Sequence, residues 1–120
     1  MLISYENVVN FANIHSFGRH RGRFYILRYG FNNQPCGYVL LTNAERKKYP
    51  NVYDFDKVDN EIRMHGGCTY IGDLGGLKEW FIGFDCCHLY DYKNPKTFKF
   101  AKNECKSIID QLIELHGDKQ

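Results

Sequence analysis

Two short strings hold most of the side chains in this chain that could do chemistry: His65-Gly66-Gly67, and Asp85-Cys86-Cys87-His88 with Asp91 three residues on. Three uses are open to such a set. A cysteine beside a histidine can be drawn to thiolate while a carboxylate orients the ring. Cys86 with His65 or His88, and Asp85 or Asp91 behind them, has that composition. The same groups are donor types that zinc accepts, but their spacing follows no standard zinc pattern, so neither a resident metal nor another cofactor is expected. The third use is binding without chemistry. Gly66 and Gly67 admit close approach of backbone N–H groups. His65 and His88 donate hydrogen bonds, Thr69 and Tyr70 follow the glycines, and Tyr70 or Trp80 offers a ring face. Arg21 and Arg23, in the run 19–23, read first as part of a solvated loop and second as phosphate-neutralising groups.

These strings need elements to bring them together. Cys68–Ile71 and Trp80–Phe84 are rich in β-branched and aromatic residues and read as paired strands. Gly75-Gly76 between them suits a two-residue turn with positive φ at both positions. That turn predicts a register in which Leu74 faces Leu77, Ile71 faces Trp80, Thr69 faces Ile82, Gly67 faces Phe84 and His65 faces Cys86. The two polar strings then meet at the open end of one hairpin, over residues 65–88.

The remaining chain supplies the support. Residues 2–12 suggest a short helix or edge strand, and 13–23 a polar loop. Phe24–Tyr29 and Tyr38–Leu41 predict a second hairpin across the turn-rich Asn32–Gly37. Thr42 or Asn43 can cap a helical turn that Pro50 ends, and 49–60 reads as a loop, or as a short segment tucking Tyr53 and Phe55 against the core. Asn94-Pro95 is a helix entry, followed by apolar residues at three- and four-residue steps from Phe98 to Leu115, so a helix is expected over 95–116. The fold class expected is α+β, in one domain over 1–120. It consists of an antiparallel sheet of about four to six strands, with the 65–88 hairpin central and one long C-terminal helix packed on the Trp80/Ile82/Phe84 face.

Composition narrows the function classes. A formal net charge of +2 is too small to argue for a nucleic-acid partner. Nine Tyr and nine Phe favour a sheet or a stacking surface. No run is apolar enough to span a membrane, and the N-terminal residues lack a signal-peptide pattern. Five Cys without C-x-x-C spacing read as reduced thiols. One helix cannot cover both faces of so aromatic a sheet, so pairing into a homodimer is expected.

The strings His65-Gly66-Gly67-x-Thr69-Tyr70 and Gly83-Phe84-Asp85-Cys86-x-His88-x-x-Asp91 resemble those of a family of small bacteriophage-encoded proteins with HGG-x-TY and GFDCAH-x-GD motifs. The resemblance extends through Glu104-Cys105 and Gln111-Leu112, and departs from the family at Cys87, Leu89 and Tyr90. It implies a phage origin and action in the host cytoplasm, and it brings no activity with it. By analogy with compact phage proteins, the function expected is anti-defence: sequestration of a nucleotide-type immune signal at His65, Gly66, Gly67, Thr69, Tyr70, Asp85, Cys86, His88 and Asp91, with Arg21 and Arg23. The alternatives are a protein-binding inhibitor of a host immune effector or nuclease, and a small Cys/His or metal-dependent hydrolase.

Overall fold

The computed structural model describes residues 13–74 and 77–117, the side chain of Leu77 excepted. The Gly75-Gly76 turn and the element expected over 2–12 lie outside the described residues. In chain order the elements are β1 (Ile14–His20), β2 (Arg23–Tyr29), β3 (Pro35–Leu40), α1 (Asn43–Lys48), α2 (Phe55–Asp59), β4 (Tyr70–Leu74), β5 (Leu77–Asp85) and α3 (Phe98–His116). Single 3-10 turns stand at Phe31–Asn33 and Leu89–Tyr92. The strands form one antiparallel sheet in the order β1-β2-β3-β5-β4. The architecture is α+β, as the pattern of elements predicts.

Strand alternation splits the apolar residues between two faces. On one face Tyr25, Leu27, Val39, Ile82 and Phe84 pack with the buried stripe of α3: Ala101, Cys105, Ile108, Ile109, Leu112 and Ile113. Each fully buried large side chain contributes about 1.5–3 kcal/mol, so this seam is the main hydrophobic support. Gly37 lets the helix come close: a Cβ there would stand 2.6 Å from Phe84 and 2.7 Å from the Cys105 sulfur. The other face carries a smaller cluster of Phe24, Ile26, Leu74 and Phe81.

Five expectations need correction. The 65–88 hairpin is not central: β3 is the middle strand and β4 an edge. Its register holds only beside the turn, where Leu74 pairs with Leu77. Further out, Asp73 alone stands opposite Lys78, Glu79 and Trp80, so Ile71 pairs with Ile82 instead of Trp80. The slip is two residues, which leaves every side chain on its expected face; Ile71, Trp80, Ile82 and Phe84 all border the α3 side. Third, part of the polar stretch 13–23 is a strand. β1 alternates half-buried and exposed residues at the sheet edge, too wet a pattern to read as a strand from composition. Fourth, α3 starts later than Pro95. Thr97 is its cap and accepts the N–H of Phe100 at 3.1 Å, and the chain before it forms the Leu89–Tyr92 turn. Residues 55–59, within the stretch read as a loop or a short inward segment, make the short α2; Phe55 packs against the core as that second reading has it, whereas Tyr53 points out, 80% exposed.

α1 begins as expected at Thr42, whose hydroxyl accepts the Glu45 N–H while Glu45 accepts the Thr42 N–H. Glu45 also holds Arg23 at 2.5 Å, both side chains buried. Trp80 at the other side of α1 is oriented by its indole N–H, which donates to the Tyr49 carbonyl at 2.9 Å.

Candidate functional site

The two polar strings do meet, but not as strand partners. The chain leaves the sheet before Tyr70, so His65 is in a loop rather than opposite Cys86 in a ladder. That loop is held by α3. Gln111 brackets Arg63, accepting its N–H at 2.7 Å and donating to its carbonyl at 2.8 Å. Glu104 accepts the His65 N–H at 2.9 Å. Glu104 and Gln111 are seven residues apart and so lie on one helix face. That spacing was the available signal for a clamp which composition does not reveal.

Held this way, His65 directs Nε2 at Asp91, 3.0 Å from each carboxylate oxygen. Asp91 also accepts the His88 N–H at 3.0 Å, which closes the Leu89–Tyr92 turn from within. Burial alone would push the Asp91 carboxyl up. The hydrogen bonds from His65 and the His88 amide, reinforced by both imidazoles, outweigh burial and hold it below its ordinary value. Around this hub the His65 ring meets Phe100, Tyr90 and His88 edge-on at centroid distances of 5.1, 5.5 and 5.7 Å. His88 stacks on Tyr90 at 5.9 Å. Among the described residues the His88 Nε2 has no hydrogen-bond partner, and it stands 3.6 Å from Asp85, while Asp85 accepts the Cys87 N–H at 3.0 Å.

The glycines serve this packing. Gly66 has φ +69° and faces the His88 ring so closely that a Cβ would come within 1.9 Å of Nε2. Gly67, at φ +85°, faces the Asp59 carboxylate, which accepts the Cys68 N–H at 2.7 Å. The side of Gly66 that the sequence reserved for a ligand's approach is filled by the chain's own imidazole.

Other candidate residues lie elsewhere. Tyr70 points to the opposite face of the sheet, where it meets Tyr38 at 5.4 Å. Thr69 is exposed, with its N–H on the Gly83 carbonyl. Arg23 is buried against Glu45. Arg21, in the β1–β2 turn, reaches Asp110 at 3.1 Å, as His20 does at 2.9 Å. Asp110 is ten residues beyond Phe100, about 15 Å along the helix, so neither arginine joins the His65 corner.

The thiols are poorly suited to nucleophilic work. Cys86 is completely buried, and burial, with Asp91 next in weight, pushes it up to about 12. Burial raises Cys36 and Cys68 to about 11 and also raises Cys87 and Cys105. A thiol held this high is almost wholly protonated at neutral pH. Among the described residues, no three His, Cys, Asp or Glu side chains converge as a metal site requires, and no helix is long and apolar enough to cross a membrane.

What the corner does present is a rim. Leu89, Tyr90 and Tyr92 of the turn are 85%, 51% and 54% exposed. Phe31, 69% exposed, comes in from the β2–β3 connection, its carbonyl 3.5 Å from the Cys87 sulfur. No family model, curated protein or solved structure matches the chain.

Proposed function

We propose that this protein acts by binding rather than by catalysis, and that it docks a protein partner through the rim of Phe31, Leu89, Tyr90 and Tyr92. The observation that carries this reading is the exposure of three large apolar side chains on one hydrogen-bonded turn, with Phe31 exposed on the neighbouring connection. Exposed leucine or tyrosine alone is ordinary, but a cluster of them marks interaction surfaces. Tyrosine supplies contact area at low entropy cost. The turn beneath is fixed by Asp91, itself held by His65, so little ordering remains to be done on binding. In the phage setting suggested by the HGG and GFDC strings, the partner is a host defence effector in the cytoplasm and binding inhibits it. Sequestration of a nucleotide at the same corner has less support, because Gly66 is covered by His88 and both arginines are paired elsewhere.

The test is protection of a sensitive phage by the expressed protein in bacteria carrying single defence systems. Where the wild type protects, Leu89→Asp and Tyr90→Asp are expected to weaken partner binding about thirtyfold each and to abolish protection, with the folding stability of Leu89→Asp within about 0.5 kcal/mol of wild type. Full protection by both variants would sink the rim reading.

A further inference from the structure

A second surface, on the far side of α1, has a different chemistry. Asn43, Arg46 and Lys47 of that helix, with Pro50 and Trp80, line an open cleft of about 450 Å³, within the range of small-molecule sites. Its ring is positioned by the sheet and by the bond from Trp80 to the Tyr49 carbonyl. Over that ring lies the Arg46 guanidinium, 4.8 Å from the centroid, with one N–H on the Lys78 carbonyl at 3.0 Å. The helix's other charges are already engaged: Glu45 with Arg23, Lys48 with Glu61 at 2.6 Å. Arg46 and Lys47 make no ion pair among the described residues. The cleft thus offers a planar cation backed by an indole, a second cation and an exposed side-chain amide.

We propose that this cleft binds a nucleoside phosphate. The base lies on the Arg46–Trp80 stack, since a guanidinium plane and an indole both accept a flat ring. Lys47 and the remaining Arg46 N–H groups hold the phosphate, and Asn43 is placed to pair with a base edge. A single-stranded nucleic acid would need a succession of rings and cations along a track; this cleft has one of each kind of platform. The proposal stands independently of the rim, because the two surfaces share no residue.

Trp80 is the single tryptophan, so its fluorescence reports on this cleft alone. The full chain is titrated with adenosine monophosphate, guanosine monophosphate, adenosine, inorganic pyrophosphate and a ten-nucleotide oligomer, with calorimetry in parallel. The expected result is saturable quenching by at least one mononucleotide, with adenosine and pyrophosphate each at least tenfold weaker. Lys47→Glu and Arg46→Lys should each weaken that mononucleotide about tenfold or more, with an unchanged Tm for Lys47→Glu. Equal binding of pyrophosphate would make this a plain anion site and overturn the proposal. Equal binding of adenosine would leave stacking without phosphate recognition, and the oligomer binding tightest would replace it with strand binding. Absence of saturation at millimolar mononucleotide would remove the site.

Discussion

Glu45 in α1 and Asp91 in the Leu89–Tyr92 turn are built alike. Each is a buried carboxylate that reaches back to the backbone N–H three residues before it, Thr42 and His88 respectively. Each also pairs with a side chain from a distant part of the chain, Arg23 or His65. They differ in the partner and in what is left over. Arg23 is charged at any working pH, whereas His65 is charged only when protonated. Among the described residues Glu45 and Arg23 each keep one buried atom without a hydrogen-bond partner, Oε2 and Nη1, while both Asp91 oxygens are engaged. The first pair fastens α1 to β2 inside the molecule. The second sits directly under exposed residues and sets the shape of a surface. The same device therefore serves as a bolt in one place and as a foundation in the other.

The largest effect is expected at the bolt. Arg23→Met leaves Glu45 buried without its cation and should lower stability by about 3–5 kcal/mol in urea unfolding, while Arg23→Met with Glu45→Leu should recover most of it. A single variant costing almost nothing would erase the distinction between the two hubs.

Asp91→Asn should cost less, about 2–3 kcal/mol at neutral pH, through loss of charge-assisted hydrogen bonds. The contribution of Asp91 also depends on pH in a way that Arg23 does not share. The folded-state value of Asp91 is depressed, so its stabilisation is present above the ordinary carboxyl value of about 4 and is lost as pH falls through the lower folded value. The gap between wild type and Asp91→Asn should be present at neutral pH and should close below about 4. Unfolding curves in which the gap persists undiminished well below about pH 4 would contradict this assignment.

The smallest of the three is Gly66→Ala, expected to cost about 1–3 kcal/mol by backbone strain and collision with His88. Adding His88→Ala should restore the part due to collision and leave the part due to positive φ. If the double variant is no more stable than the single one, the ring is not what Gly66 accommodates.

Much of the frame could be read from local chemistry. The capped turn at Thr42, the hairpins at 24–41 and 70–84 and the apolar stripe of α3 are each written in spacing or in turn residues. β1 was illegible because an edge strand half in water needs no apolar alternation, and Ile14–His20 has little. The corner was half legible. Histidine, glycine and carboxylate types pointed to His65, Gly66, His88 and Asp91 as a group, and they do assemble. Their purpose was not legible, because it depends on which partner fills which space. The ring over Gly66 comes from His88, and the clamp on His65 comes from a helix forty residues downstream. Arg21 and Arg23 show the same limit: charge type suggested a ligand, while Asp110 and Glu45 decided otherwise.

The mismatch inside the β4–β5 hairpin bears on how such a chain can change over generations. One residue of β4 faces three of β5 there, and Ile71 and Ile82 still point towards α3 while Leu74 and Phe81 point away. Insertions or deletions of two residues near this tip would leave the inside and outside of the sheet intact. A single-residue change would exchange them and present isoleucine and phenylalanine to the wrong side. Relatives of this protein should therefore vary in hairpin length by even steps, and an odd step should come with a second, compensating one on the same strand.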